Sequence, residues 1–140
     1  MTATRRGQLK AACEKHGVLA AYLFGSRADD GLALLDGLAV AAAGSDLDVG
    51  VVFDDHAFGP RTRAALQLAL EDVFEPLRVD LVPLQRVDAI FQYRAIDGHL
   101  VFDRDSTKTA CYELEVMRKA ADLLPIQRQI EIDTFGVSTT

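Results

Sequence analysis

Thiols, clustered histidines, positive charge and long apolar runs are all scarce in this 140-residue chain. There are two cysteines, Cys13 and Cys111, far apart and in helix-like segments. A disulfide framework or a zinc site needs more thiols, or a Cys/His spacing that is absent here, so both read as reduced, mostly buried thiols of a cytoplasmic protein. His16, His56 and His99 have no second histidine or cysteine at metal spacing and read as structural or solvated. Fifteen Lys and Arg stand against 21 Asp and Glu, a net charge of −6. Broad binding to nucleic acid works by displacing counterions with Lys and Arg, so direct nucleic-acid binding is not expected. A nucleotide held through a metal remains compatible with that balance. No apolar run is long enough to span a bilayer. The basic start, residues 1–6, is not followed directly by an apolar h-region, so no signal peptide is expected. Repeats, low-complexity tracts and linkers are also missing. What remains is the mix of an ordinary soluble domain, 49% hydrophobic and 26% charged. Residues 1–140 read as a single domain with a real core.

The apolar pattern alternates between strands and helices. Residues 5–16 carry Leu9, Ala12 and Cys13 at helical spacing, with Gly17 as a stop. Val18–Phe24 is an apolar run ended by Gly25 and reads as a buried strand. Residues 29–44 read as a loop or a short helix around 32–43. Leu47–Phe53 is a second strand. Pro60 suits a first helical turn and opens an amphipathic helix through Phe74, with Pro76 beyond its end. Residues 77–83 form a third strand, 88–95 a short helix, and 98–102 a short strand or extended segment. Ser106 is a candidate N-cap for a helix through Leu124 that Pro125 breaks or bends. In that helix Leu114, Met117, Ala121 and Leu124 share a face, read first as core and alternatively as a dimer or partner surface. Residues 137–140 read as a frayed tail. The alternation implies an α/β (α+β) domain, a sheet with helices packed on it and sites at strand ends and adjoining turns.

The chemistry centres on Asp46 and Asp48, in the stretch Gly44-Ser45-Asp46-Leu47-Asp48-Val49. Side chains at i and i+2 of a strand leave the same face, so both carboxylates point to one spot. Close carboxylates raise each other's pKa unless a cation sits between them. Mg²⁺ takes one or two carboxylates together with substrate phosphates. Upstream, the strand-ending turn Gly25-Ser26 offers bare backbone and a hydroxyl to an anion. Arg27 reads either as a phosphate partner or as a solvated cation. Asp80 interrupts an apolar strand, Val79-Asp80-Leu81-Val82, where a lone charge is costly without a partner or solvent. Taken alone it reads as a solvated strand-edge residue. If its strand lies beside Leu47–Phe53, three carboxylates meet in a phosphoryl-transfer site.

Together, Phe24-Gly25-Ser26-Arg27-Ala28 and Ser45-Asp46-Leu47-Asp48-Val49 resemble the signature of the minimal nucleotidyltransferase (MNT) domains of the DNA polymerase β-like nucleotidyltransferase superfamily. Val79-Asp80-Leu81-Val82 is similar to the strand bearing that family's third carboxylate. The segment from Ile96 to Asp103 is similar to its I-x-x-G-x-x-L/V-[YF] segment. The resemblance covers roughly residues 10–105, followed by a C-terminal helix over about 106–124. It implies the nucleotidyltransferase fold, a mixed β-sheet with helices packed on it. By resemblance, Gly25 and Ser26, with Arg27, hold ATP phosphates, and Asp46, Asp48 and Asp80 bind Mg²⁺. Asp80 would also help deprotonate the acceptor. Members of this size often act as antitoxins of HEPN ribonuclease toxins. The implied activity is transfer of AMP from ATP to a tyrosine hydroxyl of a HEPN toxin, in a hetero-oligomer with it.

One departure stands out: nineteen residues, 27–45, separate Gly25-Ser26 from Asp46, where the family spacing is about ten residues. This reads as an apolar insertion near 32–43 in a surface connection, at little entropic cost. Shortening it is expected to leave ATP binding unchanged. Two other functions stay open on the sequence. One is nucleotidyl transfer to a small hydroxyl compound such as an aminoglycoside, although little chain follows Asp105 to hold one. The other is a non-catalytic antitoxin that acts by binding alone. Tyr22, Tyr93 and Tyr112 read as packing residues more than acceptors.

Overall fold

The computed structural model describes residues 4–54 and 59–135. His56 and the 137–140 tail lie outside the described residues. The order is α1 (Arg5–Lys15), β1 (Val18–Phe24), α2 (Ala28–Leu35), β2 (Leu47–Phe53), α3 (Pro60–Val73), β3 (Val79–Pro83), a 3-10 turn (Leu84–Arg86), α4 (Ala89–Ile96), β4 (His99–Asp103) and α5 (Ser106–Phe135).

The four strands form one mixed sheet in the order β3-β2-β1-β4. β1 lies antiparallel to β2 and β4, and β2 runs parallel to β3. β1 is buried at all seven positions, which explains its unbroken apolar sequence: a strand covered on both faces has no reason to alternate. Alternate side chains go to opposite layers. Ala21, Leu23, Val49, Val51, Val79 and Leu81 join Leu9 and Cys13 of α1, Leu34 and Leu35 of α2, and Leu66 and Leu70 of α3 in one core. Ala20, Tyr22, Phe24 and Val52 face the other way and pack with Leu84, Ala95 and Phe91. There Phe24 and Phe91 meet edge to face, with ring centroids 5.7 Å apart. Tyr22 is fully buried and its hydroxyl donates to Glu113 Oε2 at 2.6 Å. Tyr112 donates to Gln92 Oε1 at 2.6 Å. Both phenols serve packing, and burial pushes both above the ordinary tyrosine range.

Several expectations need correction. The helix expected around 32–43 begins earlier, at Ala28, and ends at Leu35; residues 38–46 have no helix or strand. The stretch read as a surface insertion therefore contains Leu34 and Leu35, 1% and 5% exposed, and shortening it from residue 32 would cut into the core. Pro125 does not break the last helix, which runs to Phe135 with the proline inside. Its cap is Asp105 rather than Ser106: Asp105 Oδ1 accepts from Thr107 N and Lys108 N, both at 3.1 Å. The inward face of α5 carries Thr109, Val116 and Ala120, whereas Leu114, Met117 and Leu124 are exposed, so the core reading of that face does not hold. No helix among the described residues is long and apolar enough to cross a membrane.

Candidate nucleotide and metal site

The sheet order brings together residues that are far apart in sequence. β1 and β2 pair Phe24 with Asp48, and β2 and β3 pair Asp48 with Asp80. Residues opposite each other in register leave the same face, so Asp48 and Asp80 stand side by side where β1 gives way to Gly25. Asp80 is exposed on the edge strand β3, so water carries the charge that an apolar strand could not bury. Asp46 precedes β2 and is exposed, Asp48 is half-buried, and Asp80 is exposed. The Asp48 carboxyl is pushed above the ordinary aspartate range, first by burial, then by the charge of Asp80, a hydrogen bond with Asp80, and the charge of Asp46. A group held in this way is short of positive charge.

Gly25 follows β1 with φ at 78°, a conformation L side chains rarely adopt. A β-carbon there would collide with Asp48 Oδ2. Glycine is therefore required both by the turn and by the neighbouring carboxylate. Ser26 Oγ lies 2.9 Å from Ser45 Oγ, which places a second hydroxyl in the turn. The sequence reading did not assign Ser45 a role, although it sits in the same motif as Asp46. α2 begins at Ala28, so the turn leads straight into a helix N-terminus, a favourable place for an anion.

Arg27 is corrected on both counts. It is neither a solvated cation nor turned out towards a phosphate: it is 8% exposed. Its guanidinium donates to Asp30 and to the carbonyls of Ala41, Ala43 and Ser45. His99 pairs with Asp29, Nε2 to Oδ1 at 2.8 Å. Among the described residues no three His, Cys, Asp or Glu side chains form a ready metal cage. The donor set nevertheless suits Mg²⁺, which is held by one or two carboxylates and completed by water and substrate phosphates. Asp48 and Asp80 are hard oxygen donors already side by side, with Asp46 close enough to be felt electrostatically. Gly25, Ser26, Ser45, Asp46 and Asp80 are all exposed, so this edge is an open shelf. A concavity of about 610 Å³ between α4 and the far part of α5, lined by Arg94, Leu124 and Arg128, contains none of these residues.

Comparison with solved structures gives the same architecture. A chain from a MntA–HpeT toxin–antitoxin complex with two aspartates replaced by glutamate superposes with a TM-score of 0.68 at 16% identity, over 94% of this chain and 98% of that one. A toxin–antitoxin structure with AMP-PNP gives 0.66 at 18% identity, over 94% and 98%. A complex of the tri-AMPylated HEPN toxin of Shewanella oneidensis with its MNT antitoxin gives 0.64 at 16% identity, over 95% and 97%. No curated protein matches the chain. The family model "Polymerase beta, Nucleotidyltransferase" matches residues 7–107, which hold all three aspartates and the Gly25-Ser26 turn. The chain belongs to the polymerase beta nucleotidyltransferase family.

Proposed function

We propose that this nucleotidyltransferase is an Mg²⁺-dependent protein adenylyltransferase that transfers AMP from ATP to a tyrosine hydroxyl of a HEPN ribonuclease toxin, and so acts as its antitoxin. The carrying observation is the register that sets Asp48 opposite Asp80, against a glycine turn whose β-carbon position is occupied by the Asp48 carboxylate. Asp46, Asp48 and Asp80 would hold Mg²⁺. When bound, the ion neutralises the phosphates and steadies the departing pyrophosphate. Gly25 and Ser26 would receive the β- and γ-phosphates through backbone N–H groups and a hydroxyl. Asp80, exposed at the open side, would accept the proton of the acceptor hydroxyl. The acceptor oxygen then bonds to the α-phosphorus as the α–β anhydride bond breaks. The open shelf suits a side chain presented by another protein better than a small molecule that needs an enclosing pocket. The relatives seen with a HEPN toxin, an AMPylated toxin and AMP-PNP support the same choice of partner and nucleotide.

The test is incubation with ATP labelled at the α-phosphate, Mg²⁺ and the co-encoded partner. Label should appear on the partner and vanish when Asp46 and Asp48 are both changed to Ala. Partner binding without label would mean neutralisation by binding alone, and label on an added aminoglycoside would mean a small-molecule acceptor.

A further inference from the structure

The connection between α2 and β2 runs without helix or strand from residue 38 to residue 46 and ends on Asp46. An irregular connection is a poor mount for a ligand that must be placed within a fraction of an ångström. Here it is tied down from beneath. Arg27 Nη2 donates to the carbonyl of Ala41 at 2.5 Å, and Nη1 donates to the carbonyls of Ala43 at 3.2 Å and Ser45 at 3.3 Å. Its Nε donates to Asp30 Oδ2 at 2.7 Å, which fixes the plane of the fork and balances the buried charge. Gly44 lies against the guanidinium with φ at 128°, and a β-carbon there would sit 2.7 Å from Nη1. The next residue, Ser45, meets Ser26 hydroxyl to hydroxyl.

We propose that Arg27 is a positioning residue: by gathering the alternate carbonyls of residues 41, 43 and 45 it holds Ser45 and Asp46 in place against the Gly25-Ser26 turn. The chemistry requires arginine. Three carbonyls and a carboxylate are reached from one planar group with five N–H donors, whereas an ammonium is a compact point charge with three. The clamp stands on the geometry alone. Its consequence for the metal rests on the reading of Asp46 as an Mg²⁺ ligand.

The experiment compares the full chain with Arg27→Lys and Arg27→Gln. Hydrogen exchange is followed in the peptide spanning residues 36–46 without metal or nucleotide. The Mg²⁺ concentration for half-maximal transfer and the salt dependence of ATP affinity are then measured. Both variants should speed exchange in 36–46 by about tenfold or more, the size of one or two lost hydrogen bonds, with β1 and β2 peptides unchanged. Half-saturation by Mg²⁺ should rise about tenfold in both, with no rescue by lysine, and the salt slope of ATP affinity should keep its wild-type value. Unchanged exchange would overturn the clamp. Faster exchange with an unchanged Mg²⁺ requirement would overturn the positioning role. Rescue by lysine, with a flattened salt slope in Arg27→Gln, would overturn it in favour of a direct phosphate contact. A wild-type chain that neither binds nor transfers nucleotide would overturn the functional reading and the positioning role with it, and the exchange data would still decide the clamp.

Discussion

Gly25→Ala isolates the contact on which the site turns. The substitution asks an L residue to hold φ at 78° and puts a methyl group onto Asp48 Oδ2. The backbone part costs roughly 1–2 kcal/mol. Steric crowding adds about 1 kcal/mol, at the low end for overpacking because the half-buried Asp48 carboxylate can swing aside. Roughly 2–3 kcal/mol in a domain of this size corresponds to a fall in Tm of about 6–12 °C. The swing carries Asp48 away from Asp80, so Mg²⁺-dependent ATP binding should weaken more than stability alone explains. A double-mutant cycle with Asp48→Ala separates the two parts. Removing the carboxylate should return about 1 kcal/mol of the crowding and leave the backbone part intact. Thermal melts of the four proteins in chelator, with ATP titrations in Mg²⁺, make the measurement. A Gly25→Ala protein that melts and binds ATP like the wild type, or a strictly additive cycle, would refute the proposed contact between turn and carboxylate.

Asp48→Asn should abolish Mg²⁺-dependent ATP binding or transfer with the fold intact; unchanged transfer would remove the metal argument. The same variant has a pH signature. Because the folded-state pKa of Asp48 is raised, its contribution to stability is full below the unfolded value near pH 4 and is lost as pH rises through the folded value. In chelator the asparagine variant should therefore outlast the wild type at neutral pH, with a gain that shrinks towards about pH 4; an equal gain at both would contradict the carboxylate cluster. Leu66→Ala, at a fully buried position, should cost about 2–5 kcal/mol in urea unfolding while ATP affinity in the folded state stays as it was. Pro125→Ala should raise far-UV helicity and Tm, since it restores a backbone donor within α5; a loss of helicity would mean that the helix does not pass through this residue in solution.

The sequence alone determined most of the elements and marked the candidate reactive groups. Val18–Phe24 was legible to the residue because a strand buried on both faces is one apolar run closed by a turn, and Leu47–Phe53 because only Asp48 interrupts its apolar sequence. Asp46 stands just before β2 and is felt by Asp48 through its charge, and Gly25 marks a bend that few other residues can make. These are local consequences of backbone geometry. Helix ends were less legible: α2 starts and ends earlier than the 32–43 expected from the sequence, and α5 passes Pro125 because the fixed proline φ is itself helical and costs one hydrogen bond rather than the helix. Tertiary structure decided the rest. That Asp80, a solvated charge on an edge strand, is also the neighbour of Asp48 depends on β3 pairing with β2 rather than with β1 or β4, a choice made by long-range burial. Whether Arg27 looks out to solvent or in to the backbone of 41–45 depends on where an irregular segment comes to rest, which no periodicity encodes.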